Sequence, residues 1–241
     1  GFGEQRRHHG VDDAGEAWQV ANTQIDAVEA LVARHPDRFA LLRSPRDVGR
    51  LRIDGHVLLA LGMENGAPIG DDLAQLQAFF DRGIRYITLA HSRGNRIADS
   101  SYGMARQWHG LSPFGRKVVD EMNRLGIMVD VSHLADGSAR EAIERSHAPV
   151  IASHSAFRHF TPGFERNISD ELAKALAAKG GVVQIPFGTP FIDTGAAADI
   201  VAYFAAVAGT PQSDMAAFDK AWDKAHPAPA THLAQVLDEI D

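Results

Sequence analysis

The chain has 241 residues, 45% of them hydrophobic, enough to bury one substantial core. Its 24 basic and 31 acidic residues give a formal charge of −7 with no basic block, which argues against nucleic acid or an anionic membrane surface as a partner. There is no cysteine, so disulfides and thiolate metal sites are excluded, and any metal must be held by histidine and carboxylate. No run approaches the ~20 apolar residues of a membrane span. The opening GFGEQRRHHG lacks the apolar core of a signal peptide. The compartment is left open between cytoplasm and periplasm.

In chain order, residues 1–15 are polar and irregular. Residues 16–34 have the periodicity of an amphipathic helix, with Trp18, Ile25, Val28, Leu31 and Val32 near one face, and Pro36 beyond its end. Ser44-Pro45 has the form of an N-cap with proline in the first turn, opening a short helix to about Leu51. Residues 56–63, HVLLALGM, are nearly all apolar, as in a parallel strand buried on both faces, and end at Glu64. A helix over 71–82 and a strand over 84–90 follow, and the strand stops on His91. A long polar loop, 92–111, leads to Ser112-Pro113, a second capping signal, and a helix that Gly126 stops.

Residues 127–154 then form a strand–helix–strand unit. IMVDVSH and APVIASHS are short, rich in β-branched residues, and stop on His133 and His154. A right-handed crossover makes the two strands parallel and brings both imidazoles to the same C-terminal edge. Past an irregular stretch, Ser169 caps another helix, Gly180-Gly181 ends it, and GVVQIPF (181–187) is a fifth strand. From Ala196 the pattern is helical and alanine-rich, with a break at 226–230 and a last amphipathic segment, THLAQVLDEID.

Five strands alternating with helices indicate an α/β fold. Four successive strands ending in Glu64, His91, His133 and His154 favour a (β/α)8 TIM barrel over a doubly wound sheet, because barrels collect their chemistry at the C-terminal strand ends. There is no GxGxxG and no P-loop. A carboxylate flanked by imidazoles suits divalent metals that polarise a carbonyl and activate water. Glu64 follows a run with no other charge, so burying it without a cation is costly. His91 has two candidate roles, as a ligand or as a hydrogen-bond donor to a developing oxyanion. Arg166, in the loop after His154, is a candidate for holding a carboxylate, and spacing alone leaves a solvated surface charge equally open.

On the stretches LGMENG, GIRYITLAHS, GLSPFGRKVVDEMNRLGIMVDVSH, APVIASHSA and FERNISDE, the sequence resembles the membrane (renal) dipeptidase family, zinc dipeptidases built on amidohydrolase-type barrels. The resemblance covers most of residues 51–187 in family order. It implies that Glu64 bridges two zinc ions, that His133 and His154 bind the second, that His91 stabilises the tetrahedral intermediate, and that Arg166 binds the C-terminal carboxylate of a dipeptide substrate. It also implies tolerance of a C-terminal D-residue, and a homodimer as in many members.

Two family features have no counterpart. No His-x-Asp pair follows a strand before Glu64, and the sequence given stops at THLAQVLDEID, where the family continues to an aspartate-rich strand end. Pro186 stands where the family usually has asparagine. The expectation is one metallo-dipeptidase barrel domain over 1–241 holding about five parallel strands of the eight. The competing expectation is an inactive relative or fragment that holds a single metal.

Overall fold

A computed structural model of the chain describes residues 14–53, 55–102, 105–207, 210 and 214–227. The expected irregular start over 1–13 and the closing THLAQVLDEID segment lie outside the described residues. Helix α1 spans Ala14–Arg34, two residues longer at its start than the periodicity indicated, and buries Ala17 and Ile25. Strand β1 (Phe39–Leu41), helix α2 (Pro45–Ile53) and strand β2 (Val57–Leu59) follow. Then come β3 (Leu61–Glu64), α3 (Ala74–Asp81), β4 (Ile84–Thr88), α4 (Pro113–Leu125), β5 (Met128–Asp130), α5 (Asp136–Arg145) and β6 (Ile151–Ala152). The remaining elements are α6 (Asp170–Ala178), β7 (Val182–Val183), α7 (Thr189–Ile192), α8 (Thr194–Val207) and α9 (Met215–Ala225).

Strands β3 to β7 form one parallel sheet in chain order, with a helix crossing back between each pair of neighbours. This is the expected α/β architecture, a five-stranded arc of a TIM-type barrel. Capping signals in the sequence set several boundaries. Ser112 Oγ accepts from Gly115 N at 2.8 Å to open α4, and Gly126, at φ 82°, closes it in the left-handed conformation that favours glycine. Ser169 opens α6 in the same way, accepting from Leu172 N.

Three sequence expectations change. The 56–63 run is two strands, because its halves have different partners: β2 pairs with β1 in a separate two-stranded sheet, whereas β3 pairs with β4. The short β1, with only half-buried residues, carried no strong apolar signal. Helix α3 starts at Ala74 rather than Asp71, because Gly70 sits at φ 61° and Asp72 Oδ1 caps Ala74 N at 2.9 Å. The fifth strand shrinks to Val182–Val183. Its pairing runs on only to Gln184, whose N–H reaches Ala152 O at 2.9 Å, and Pro186 has no N–H with which to extend a ladder.

Register then decides which side chains share a face. Glu64 pairs with Thr88, and Thr88 with Asp130, so the three form one row across β3, β4 and β5 on the concave side. One row lower, Gly62 pairs with Tyr86, and Tyr86 with Met128. The Tyr86 ring lies over Gly62 so closely that a Cβ there would stand 2.0 Å from it, and a larger residue would have to push the ring aside. On the convex side Met63, Ile87 and Val129 are buried in the main core with Leu76, Phe79, Val118, Val119 and Met122 of the covering helices. A second apolar cluster joins α8 to Phe164, with Tyr102, Phe204 and Trp222 packed on it. Among the described residues no helix is long and apolar enough to cross a membrane.

Candidate metal and substrate site

The strand ends bring four donors together. Glu64 is the last residue of β3, His91 and His133 lie three residues beyond β4 and β5, and His154 lies two beyond β6. Glu64 Oε1 stands 2.8 Å from His154 Nε2, 3.0 Å from His133 Nε2 and 3.4 Å from His91 Nε2. His133 Nε2 and His154 Nε2 are 2.9 Å apart. Two ligands with ~2.0–2.1 Å bonds to one tetrahedral ion lie roughly 3.4 Å apart, so these spacings suit a shared cation. Every donor is a carboxylate oxygen or an imidazole Nε2, the set that zinc and similar divalent ions take.

The backbone is bent to achieve this. His133 has φ 68° and Asn65, next to Glu64, has φ 97°. Non-glycine residues in this region cost on the order of 1–2 kcal/mol each and gather at functional sites. Asn65 is held by its own side chain, whose Oδ1 accepts from Ala67 N at 3.1 Å and from Asn95 Nδ2 at 3.0 Å. The turn at His133 is pinned by Ser101 N, which donates to His133 O at 2.7 Å.

Electrostatics agree with a cation site. Burial works to raise the Glu64 carboxyl, but hydrogen bonds from His133, His154 and His91 outweigh it and hold the group well below the usual carboxylate range. Burial, aided by the nearby Arg166 guanidinium, pushes the His133 imidazole well below its ordinary value of 6.5, so it stays neutral and able to ligate. His133 Nδ1 is buried with no hydrogen-bond partner among the described residues.

Both shifts carry a stability consequence with the same sign. Where the folded pKa is lowered, the unfolded chain binds more protons on acidification, so stability is lost as pH falls. The metal-free chain is therefore expected to weaken below about pH 6.5, by up to ~1.4 kcal/mol per pH unit from His133, and more steeply below about pH 4.5 as Glu64 joins. Urea unfolding at a series of pH values measures this. A free energy that stays flat from neutrality to pH 5 would show that His133 protonates freely in the folded chain.

Arg166 is not the solvated charge that the sequence left open: only 3% of the residue is exposed. Its Nη atoms donate to Ser155 Oγ at 2.7 Å and His154 O at 2.8 Å, and its charge lies 5.0 Å from the centre of the Phe191 ring. Among the described residues Nε has no partner, and no carboxylate makes an ion pair with the guanidinium. A buried cation left this way is costly unless an anion completes it. The half-buried Tyr102 lies near both Arg166 and His133. Its ring meets His133 edge-on at 6.1 Å and stacks on Phe204 at 4.2 Å, and burial pushes its phenol up to about 12.

The five sequence candidates, Glu64, His91, His133, His154 and Arg166, thus fall in one neighbourhood. His56 bonds Pro36 O away from it, and His35 packs on Phe39. Sequence reasoning missed Asp130, Ser153 and Tyr102. Asp130 had a readable signal, a charge inside the apolar run MVDV with no cation beside it.

A parallel barrel sheet that delivers a carboxylate and imidazoles from consecutive strand ends to one point is the arrangement on which metal-dependent hydrolases of the α/β barrel class are built. The sequence model of the membrane dipeptidase family (Peptidase family M19) matches residues 5–240, and the chain belongs to that family. Dipeptidase tcpJ of Claviceps purpurea is 36% identical over 164 residues, 68% of this chain and 38% of that protein. Among solved structures, the probable dipeptidase PvdM of Pseudomonas aeruginosa matches with a TM-score of 0.80 and 27% identity, over 95% of this chain and 64% of that one. A metallo peptidase of Rhodobacter sphaeroides, solved with a phosphinate mimic of the dipeptide L-Ala-D-Ala, matches with a TM-score of 0.70 and 28% identity, over 76% and 53% of the two chains. The chain spans about two fifths of the length of the curated relatives it matches.

Proposed function

We propose that this chain carries the metal and substrate-carboxylate sites of a zinc dipeptidase. One observation supports the reading above the others: Glu64, His133 and His154 converge within 3.0 Å of one another, beside a buried arginine that makes no ion pair among the described residues. In this reading Glu64, His133 and His154 hold zinc, which supplies Lewis acidity toward a carbonyl and toward water. Arg166 grips the C-terminal carboxylate of the substrate. Two of its five N–H donors are committed to Ser155 and His154, and the rest remain for the ligand. His91 Nδ1 is held by Ser92 Oγ at 2.8 Å, which steadies the ring so that Nε2 can donate to the oxyanion of the tetrahedral intermediate. Gripping both the scissile carbonyl and the terminal carboxylate limits the substrate to small peptides.

The test is hydrolysis of a panel of L,L and L,D dipeptides by the zinc-loaded chain, the L,D members chosen because the Rhodobacter relative was solved with such a mimic. Cleavage is expected, with loss on chelation and recovery on adding zinc. A zinc-loaded chain that cleaves none of the panel would sink the reading.

A second reading, one metal held without turnover, has its own support: among the described residues the donors that could hold a metal gather at a single point. Metal analysis separates the two, since two ions per chain favour the enzyme and one favours the inert site.

A further inference from the structure

Asp130 lies at the end of β5 with no exposed surface, and no cation among the described residues pairs with it. All its acceptor positions are filled. Oδ1 accepts from Ser132 N at 3.1 Å and Ser153 N at 2.9 Å. Oδ2 accepts from Thr88 Oγ1 at 2.5 Å and Ser153 Oγ at 2.6 Å. Ser153 Oγ also lies 2.8 Å from His154 Nδ1. A hydroxyl has one proton. If that proton goes to Asp130, the oxygen can only accept from His154, so Nδ1 must carry a hydrogen. Nε2 is the atom aimed at Glu64 and His133. The ring is held from its backbone side as well, by His154 N donating to Ser132 Oγ at 3.0 Å.

We propose that Asp130 is a positioning residue that acts through Ser153 to keep a proton on His154 Nδ1, so that Nε2 is the atom that gives up its contact with Glu64 for a divalent cation. A metal-binding histidine commonly donates its other N–H to a carboxylate. Here the donation passes through a serine hydroxyl, and the carboxylate ties the ends of β4, β5 and the segment after β6 to the same ring. The inference deepens the metal-site reading above, yet its first readout needs neither metal nor substrate.

The experiment uses the full chain labelled with 15N-histidine, metal-free at fixed neutral pH, followed by zinc titration against a competing chelator. His154 of the parent is expected to carry a proton on Nδ1, with Nε2 in contact with Glu64 until zinc replaces that contact. In Asp130→Asn the amide oxygen must keep the two backbone N–H groups, so its NH2 faces Thr88 and Ser153. Ser153 then turns its own proton toward His154 Nδ1, and the tautomer is expected to flip to Nε2–H, with zinc affinity at least about 10-fold weaker. Ser153→Ala removes the bias and weakens zinc similarly, whereas Ser153→Thr, which keeps the hydroxyl, restores both within about 3-fold of the parent.

A parent whose His154 Nδ1 carries no proton, an Asp130→Asn chain that keeps Nδ1–H, or a Ser153→Thr chain as impaired as Ser153→Ala overturns the proposal. If Asp130→Asn does not fold, the two Ser153 variants decide alone. A chain that shows the tautomer and binds zinc but cleaves no dipeptide counts against the dipeptidase reading and leaves this one standing.

Discussion

Glu64→Gln is expected to cost the chain its metal: by calorimetry or chelator competition, zinc affinity falls by at least about 100-fold. That is the upper end of the loss from an outer partner, and Glu64 is in direct reach of the ion position. The glutamine keeps the shape and one carbonyl acceptor. It loses the negative charge of the one carboxylate that, among the described residues, faces these three imidazoles. Because Glu64 keeps 35% of its side chain exposed and sits at the end of β3, the fold is expected to survive, with an unchanged far-UV spectrum. A glutamine variant that binds zinc like the parent would remove Glu64 from the ligand set, and with it the meaning of the strand-end convergence.

Arg166→Lys is expected to separate substrate binding from metal binding. Lysine keeps the charge but not the planar fork, so it cannot hold Ser155 Oγ, His154 O and a carboxylate together. We expect kcat/KM on free dipeptides to fall by at least about 100-fold, equivalent to ~2.7 kcal/mol, chiefly through KM, while zinc affinity stays within about 2-fold. A buried arginine with a purely structural task would give a different pattern, a lower melting temperature with kcat/KM retained in the folded fraction. Parent-like kinetics would rule out Arg166 as the carboxylate clamp.

How much of this was legible in the sequence depends on what each feature rests on. Strand ends could be read because apolar, β-branched runs stopped abruptly on Glu64, His91, His133 and His154, and parallel pairing carries such residues to one edge whatever the details. The caps at Ser112 and Ser169 could be read because capping is a local interaction. The split between β2 and β3 could not, since it depends on a change of partner across a single residue, Ala60. The burial of Arg166 could not either. A charged loop residue looks solvated until the chain between 155 and 168 is folded back, and here pairs such as Arg158–Asp136 and Arg106–Glu165 hold that loop. Asp130 and Ser153 meet only because of sheet register, which no one-dimensional pattern displays.

The knot around Asp130 has a bearing on how quickly the site can be filled. Thr88, Ser132 and Ser153 are fastened to one carboxylate inside the protein, so the loops bearing the imidazoles are already arranged when the chain finishes folding. An arriving ion meets a ready-made cage and does not have to mould one. Capture should then be governed by how fast the ion sheds its own hydration water, with little dependence on viscosity or on slow loop rearrangement.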